Sequence, residues 1–363
     1  MSIDNVYTRA QKHLDQELPF VLYRKANSDQ LNAFFQESDI VYTIEKGYSD
    51  AGFVFAPFDA LQQQIIIPVQ YSDHHSVTVE KNAKSSNVRT PLEHIISDKE
   101  IQKNHEDLVQ KAIDAIKTKG IKKIVVSRKE EVKIADHLSS LQIFDRLLHT
   151  YSNAFVYLWY HPKIGTWLGA TPETLLQVQD RRFSTMALAG TQPNVNGKEK
   201  VEWGSKELEE QQLVTDFILE KVTPLIDDIQ SSEAYTHQAA TLLHIRTDIK
   251  GVIKDTSTVL KSIISALHPT PAVCGFPRDK AFDFILKEEG YDRSYYTGFL
   301  GELNINNKEQ VNSDLFVNLR CMQLKQDKAI IYVGGGITKD SIPEKEWQET
   351  IKKTATMKKV LFQ

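Results

Sequence analysis

The sequence has only two cysteines among 363 residues, Cys274 and Cys321. Two cysteines are too few for a disulfide framework or for a zinc site built from several thiolates. No apolar run approaches the length that spans a bilayer, and the N-terminus carries no apolar signal core. We therefore expect a cytoplasmic protein with no membrane partner.

A large excess of positive charge is also missing, because the formal net charge is -4. Without a basic field, binding to nucleic acid by neutralising phosphates is not expected. The composition, 41% hydrophobic and 25% charged, is ordinary for a globular protein. The length fits either two average domains or one large domain. We predict a single domain over residues 1–363 and a monomer that acts on a small molecule.

The apolar patterns indicate many strands with few helices between them. Short apolar runs predict strands at Phe20–Arg24, Phe53–Phe55, Ile65–Val69, Ala154–Tyr160, Thr166–Gly169 and Phe183–Thr191. Helical periodicity predicts helices at Tyr7–Leu14 and His105–Lys119. This pattern favours an α/β (α+β) fold with antiparallel or mixed sheets over a doubly wound sheet.

Two further stretches are assigned from their alternation and polarity. Leu315–Leu324 alternates, which predicts one strand with Arg320 on the same face as Asn318. Residues 72–105 are polar and indicate a mobile connection or a sheet edge. We expect His74 and His75 to lie on a surface loop there, because they have no further metal-ligand partners at suitable spacing.

The C-terminal segment combines several ligand-binding features within about twenty residues. Ala329–Val333 predicts a buried strand, and Gly334–Gly336 would end it with backbone amides open to an anion. Ser341, three residues before Glu344, predicts a capping box that opens a helix. The helix carries Glu346, Glu349 and Lys353 on one face, since they are three and four residues apart.

A second Glu-x-x-Glu pair lies upstream on a predicted helix that begins with Ser205 as its N-cap. Glu207 and Glu210 are three apart, and Glu210 continues into the apolar stripe of Val214 and Ile218. Any single pair of this kind is more often a solvated face. If the two helices meet, however, four carboxylates form an oxygen ligand set suited to Mg²⁺.

Lys123 and Glu173 each have an ordinary and a functional interpretation. Lys123 opens the predicted strand 121–128, where a lysine is usually solvated, but a lysine held in a pocket can lose its proton and act as a base. Glu173 follows a turn that contains Pro172, where a carboxylate commonly starts a helix.

Seven motifs in order give the chain a resemblance to the chorismate-utilising enzymes. They are Lys123–Arg128, Gly169–Glu173, Ala189–Thr191, Lys206–Glu210, Leu267–Pro277, Tyr296–Gly301 and Gly334–Lys353. The family includes isochorismate synthase, salicylate synthase, the anthranilate synthase large subunit and aminodeoxychorismate synthase. The resemblance covers residues 105–363, whereas residues 1–104 are weakly recognisable. It implies the fold of the anthranilate synthase large subunit, with two stacked, mainly antiparallel sheets flanked by helices.

The resemblance also implies a role for each matching residue. Glu207, Glu210, Glu346 and Glu349 would surround Mg²⁺, with Glu210 and Glu349 as the closest ligands. Arg320, Lys353 and the amides of Gly190 and Gly334 would hold the carboxylates of chorismate, and His244 and Thr247 would line the pocket. Ala272, Val273, Leu319 and Tyr296 would form its wall. Gln211 stands where many members have histidine.

For the reaction, Lys123 matches the lysine that activates water at ring C2, and Glu173 matches the acid that protonates the departing C4 hydroxyl. Ala189 stands where aminodeoxychorismate synthases carry a nucleophilic lysine. The resemblance therefore implies an isochorismate synthase, an isomerase that makes isochorismate from chorismate. Salicylate synthase and then the ammonia-using enzymes are the alternatives, and both menaquinone and siderophore biosynthesis stay open.

Overall fold

The computed structural model describes residues 2–44, 47–79, 99–135, 137–193, 202–239, 242–254, 256–307 and 310–362. The helices are α1 (Ile3–Asp15), α2 (Lys99–Lys119), α3 (Ser140–Thr150), α4 (Ser205–Val222), α5 (Thr256–Leu267), α6 (Arg278–Glu288) and α7 (Pro343–Leu361). Within these ranges, no helix has both the length and the apolar character needed to span a membrane.

The strands begin in the first third of the chain and continue almost to α7. They are β1 (Phe20–Arg24), β2 (Gln30–Gln36), β3 (Tyr42–Thr43), β4 (Gly52–Ala56), β5 (Ile65–Pro68), β6 (Ser72–Thr78), β7 (Lys123–Lys133), β8 (Phe155–His161), β9 (Gly165–Thr171), β10 (Thr174–Gln179), β11 (Arg182–Pro193), β12 (Ile226–Ser231), β13 (Tyr235–Ala239), β14 (Leu242–Ile253), β15 (Gly275–Phe276), β16 (Phe299–Asn307), β17 (Gln310–Val317), β18 (Cys321–Lys325) and β19 (Lys328–Ile337).

The described strands form two antiparallel sheets. One has nine strands in the order β15-β7-β19-β18-β9-β8-β1-β2-β6. The other follows the order β12-β14-β11-β10-β17-β16-β4-β5-β3, with β13 paired to β14. Strands from the first 78 residues occur in both sheets, so this N-terminal part builds the same two layers as the rest of the chain.

Three apolar clusters show how the layers are stacked. An aromatic cluster that includes Phe55, Trp159 and Trp167 contains residues of both sheets and fills the space between them. The outer face of the nine-stranded sheet packs against α1, α3 and α7, while the outer face of the other sheet packs against α4 and α5. Removal of this apolar surface from water is the main stabilising contribution. The fold is the predicted one, with two stacked sheets flanked by helices.

Two predicted element boundaries near the C-terminus are wrong. The Leu315–Leu324 stretch is not one strand, because β17 ends at Val317 in one sheet and β18 begins at Cys321 in the other. Arg320 lies in the connection with φ 47°. Gly334–Gly336 do not end a strand either. They lie inside β19 and pair with Ser127, Val126 and Val125 of β7.

The predicted helix starts also need correction. Ser341 does not cap α7, since its hydroxyl accepts a hydrogen bond from the Thr338 amide at 3.1 Å and Ile342 occupies the N-cap. Helix α4 has Gly204 as its N-cap, and Ser205 is its first residue. Helix α2 begins at Lys99, six residues earlier than predicted.

The polar stretch 72–105 is partly a sheet edge. His74 and His75 lie on the edge strand β6 and not on a loop, and His75 Nε2 is 2.8 Å from Arg9 Nη1. Residues 80–98 of this stretch lie outside the described residues.

Candidate active site

One pocket brings together nearly all of the predicted site residues. It is lined by parts of β7, β11, β19, α4 and α7 and by the connections that contain Glu173 and Arg320. Of the predicted catalytic, substrate-binding and metal-binding residues, Thr247 alone does not line it. The two Glu-x-x-Glu helices, which periodicity could not place together, therefore face the same space.

Thr247 has a supporting place beside the pocket, so its prediction as a lining residue is wrong. The Gln211 side-chain amide donates to Thr247 Oγ1 at 2.8 Å and to Thr215 Oγ1 at 2.9 Å. Both Gln211 and Thr247 are 3% exposed. Because Gln211 and Thr215 belong to α4 and Thr247 to β14, this contact fixes the helix that carries Glu207 and Glu210 against the sheet.

Lys123 is buried, with 3% of its surface exposed, and is not the solvated lysine usual at a strand start. Its ammonium donates to Glu210 Oε1 at 2.6 Å. The space for this contact comes from Gly336, where an added Cβ would stand 2.8 Å from Lys123 Cε and 3.2 Å from Glu210 Oε1. A strand residue with a side chain would displace both groups.

Glu173 is a buried carboxyl on the connection between β9 and β10. It is 6% exposed, and its carbonyl oxygen accepts a hydrogen bond from the Val317 amide at 2.9 Å. Burial raises the pKa of Glu173 to about 7, and the nearby charge of Lys123 lowers this pKa in part. A carboxyl with such a pKa carries a proton about half of the time at neutral pH, as an acid catalyst requires.

The four glutamates line the pocket from two helices. Glu346 is buried, whereas the Glu349 side chain is 39% exposed and its carboxylate pairs with Lys353 Nζ at 2.6 Å. Glu210 and Glu346 lie beside neighbouring glycines, since a Cβ on Gly335 would stand 3.5 Å from Glu346 Oε2.

Among the described residues, no three His, Cys, Asp or Glu side chains form a group that could hold a metal ion as they stand. Glu210 and Glu349 each contact a lysine. The donors are nevertheless all carboxylate oxygens, and Mg²⁺ usually takes only one or two protein carboxylates together with waters and substrate. The residues of this pocket therefore fit Mg²⁺ shared with an anionic ligand.

Cationic groups lie at the side of the pocket formed by α7. Lys353 Nζ donates to the Gly334 carbonyl oxygen at 3.0 Å. Arg320 lines the same pocket, and its Nη1 is 3.3 Å from Thr356 Oγ1 and 3.4 Å from the Lys353 carbonyl oxygen. A guanidinium and an ammonium in one pocket are suited to carboxylate groups of a ligand.

His244 lines the pocket as a neutral imidazole. Burial lowers the pKa of His244 to about 4, and the charges of Arg320 and Lys353 lower it further. The Nδ1 hydrogen is donated to the Gly190 carbonyl oxygen at 2.8 Å. Gly190 has φ +68°, a backbone conformation that favours glycine, at an irregularity in the β11–β14 pairing.

The predicted wall residues Ala272, Val273, Leu319 and Tyr296 all line the pocket. Tyr332 lines it as well and was missed, because it was treated only as part of a buried strand. Its ring stacks on Tyr296 with centroids 5.5 Å apart. Strand alternation was the available signal, since Tyr332, Gly334 and Gly336 must share one face of β19.

The sequence matches the family described as chorismate binding enzyme over residues 55–362. The chain belongs to this family. The match begins well before residue 105, so the weakly recognisable N-terminal part shares in it. A family assignment at this level supports a small-molecule ligand and an enzymatic role.

A curated relative is the vibriobactin-specific isochorismate synthase of Vibrio cholerae, 27% identical over 254 residues, which are 66% of this chain and 61% of the relative. The matched region thus spans less than two thirds of that relative.

Among solved structures, a putative 2,3-dihydroxybenzoate-specific isochorismate synthase from Bacillus anthracis has a TM-score of 0.77 at 21% identity, covering 97% of this chain and 99% of that one. Anthranilate synthase component I from Streptococcus pneumoniae has a TM-score of 0.64 at 18% identity, covering 93% and 92%. At these identities the likeness shows the fold, which agrees with the predicted anthranilate synthase type.

Proposed function

We propose that this chorismate-binding protein is an isochorismate synthase, which adds water at C2 of chorismate and releases the C4 hydroxyl in an Mg²⁺-dependent reaction. The observation that carries the proposal is the pairing of two buried groups in one pocket, Lys123 and Glu173. Water is a weak nucleophile and hydroxide a poor leaving group, so the reaction needs a base and an acid together.

The two groups are suited to these different tasks. Glu173, with a pKa of about 7, supplies the proton that leaves with the C4 oxygen. Lys123 takes the proton from the attacking water. For this the amine must be neutral, and Glu210, which accepts its hydrogen bond here, must hold it less strongly in the reacting complex. The predicted roles of Lys123 as base and Glu210 as metal ligand are therefore coupled.

The glutamates of α4 and α7 would hold the ion, with Glu210 and Glu349 as the closest ligands. Mg²⁺ would supply a positive charge for the ring carboxylate of chorismate. Arg320 and Lys353 would bind the carboxylate oxygens that the ion leaves, and the amides of Gly190 and Gly334 lie along the same pocket. These contacts orient the ring between Lys123 and Glu173.

Ala189 favours water over an amine as the nucleophile. It lines the pocket at the position where the resemblance places the attacking lysine of aminodeoxychorismate synthases. An alanine methyl group cannot attack the ring. The curated relative in Vibrio cholerae is named an isochorismate synthase, and this name supports the same product.

A single product assay tests the proposal. Purified protein is incubated with chorismate and Mg²⁺, products are separated by chromatography, and pyruvate is followed with lactate dehydrogenase and NADH. Isochorismate without pyruvate is the expected result. Salicylate and pyruvate formed in equal amounts from the start would replace the proposal with a salicylate synthase, and unchanged chorismate would refute it.

A further inference from the structure

A fully buried ion pair lies behind the pocket, between Glu289 at the end of α6 and Arg293. Their side chains are 0% and 2% exposed. All five N–H groups of the Arg293 guanidinium have acceptors. Nε donates to Glu289 Oε2 at 2.8 Å, and Nη2 donates to Glu289 Oε1. The remaining N–H groups reach three other segments of the chain.

Each of those three acceptors belongs to a residue that lines the pocket. Nη2 donates to the Val125 carbonyl oxygen at 2.6 Å, and Nη1 donates to the Val273 carbonyl oxygen at 3.0 Å and to Thr297 Oγ1 at 3.2 Å. Arg293 itself does not line the pocket. It thus connects β7, the segment before β15 and the turn before β16 from outside.

The contact with β7 replaces strand pairing at an important position. The short β15 pairs with Lys123 and Ile124, and the Val125 amide still donates to the Cys274 carbonyl oxygen at 2.9 Å. Beyond this point the ion pair takes over the edge of β7. Arg293 donates to the Val125 carbonyl oxygen, and Glu289 Oε1 accepts from the Ser127 amide at 2.7 Å.

Val125 is two residues after Lys123, so the two side chains point to the same face of β7. We propose that Arg293, held by Glu289, is a positioning residue that fixes the strand bearing Lys123 relative to the pocket wall at Val273 and Thr297. The inference rests on the proposed function of the pocket. Buried ion pairs are weak evidence for stability, because desolvation offsets much of their attraction. Connecting three pocket segments gives this pair a use that stability alone does not.

The test compares two buried arginines that both donate to backbone carbonyl oxygens. Arg24, which is 6% exposed, donates to the Leu148 and Tyr151 carbonyl oxygens at 3.1 and 2.6 Å, and none of these residues lines the pocket. Arg293→Lys and Arg24→Lys should both lower Tm, because a lysine cannot reach all of the acceptors.

Far below either Tm, only Arg293→Lys should lose turnover. A displacement of about 1 Å at the reacting groups costs roughly a hundredfold in rate. We expect kcat to fall by about that factor in Arg293→Lys with KM changed much less, and kcat to stay near the wild-type value in Arg24→Lys. Equal kcat losses in the two folded variants, or no loss in either, would overturn the positioning role.

If Arg293→Lys does not fold, two milder variants decide. Ser127→Ala removes a hydroxyl that donates to Glu289 Oε2 at 3.0 Å, and Glu289→Gln keeps the shape of the carboxylate. Each should lower kcat severalfold at unchanged KM, and wild-type kcat in both would overturn the inference. A wild-type protein that leaves chorismate unchanged would instead refute the proposed function, which keeps the two failures distinct.

Discussion

The Lys123 side chain lies directly across Gly336 of the neighbouring strand, where an added Cβ would stand 2.8 Å from Lys123 Cε. The conflict involves the far end of a flexible side chain, so the fold can relieve it by moving the lysine. Catalysis cannot tolerate that movement, because the displaced group is the proposed base. Gly336 therefore matters more for the position of the amine than for the backbone.

We predict that Gly336→Ala loses about a hundredfold or more in kcat, the effect of a misplaced reacting group, with little change in Tm. The matched control is Gly335→Ala, whose Cβ would make an ordinary 3.5 Å contact with Glu346 Oε2. Steady-state kinetics and thermal unfolding of both variants provide the test. Equal activity in the two alanine variants would contradict the prediction.

The positions of α4 and α7 illustrate what the sequence could predict. Spacings of three and four residues placed each Glu pair on one face of a helix, and both faces do line the pocket. The meeting of the two helices depends on the order of strands in the sheets, which local periodicity does not contain. The ordered family motifs supplied that information.

Arg320 and Gly336 show why other predictions failed. The residues around Arg320 alternate across two strands of different sheets, and both strands are buried, so the pattern continues through the change of sheet. The glycines at 334–336 resembled a turn signal, yet they serve close packing within β19. Arg293 gave no local signal, because its acceptors are backbone groups brought together only by the tertiary structure.

The second prediction concerns the stability cost of Glu173. Its pKa is raised from an ordinary 4.5 to about 7. Between these values the folded protein holds a proton that the unfolded chain has lost, so the contribution of this carboxyl to stability is full below about pH 4.5 and is lost as the pH rises through 7. Glu173→Gln removes this titration. Relative to wild type, the variant should therefore gain more free energy of unfolding at pH 8 than at pH 5.

Urea unfolding at both pH values measures this difference, and Glu344→Gln at the exposed start of α7 is the control. The same variant should lose isochorismate formation, because the amide has no acidic proton to give. A stability difference between Glu173→Gln and wild type that does not change with pH would show that the carboxyl titrates near its ordinary pKa.

The third prediction concerns the metal. Activity should disappear with excess chelator and return when Mg²⁺ is added, since the pocket carboxylates need an ion to share with the substrate. Glu349→Ala should lose Mg²⁺-dependent turnover while staying folded, because its 2.6 Å contact with Lys353 is partly exposed and such pairs stabilise little.

Glu344→Ala on the same helix is the matched control, as Glu344 is exposed and outside the pocket. Its Mg²⁺ dependence should equal that of wild type. Full turnover of the wild-type protein in excess chelator would rule out the proposed ion.

The last prediction distinguishes water from ammonia as the nucleophile. Ala189 offers no amine, and Lys123 is placed to accept a proton from water and not to attack the ring. High ammonium should therefore leave the product unchanged. Lys123→Gln should abolish the hydroxylated product by several powers of ten, because base catalysis alone contributes about 10²–10⁴ and the position of the water is lost with it. The glutamine can still donate a hydrogen bond to Glu210, so the variant should fold and retain chorismate binding, measurable by calorimetry. An amino product from wild type with ammonium, or hydroxylated product at near wild-type rate from Lys123→Gln, would assign the pocket to a different branch of the family.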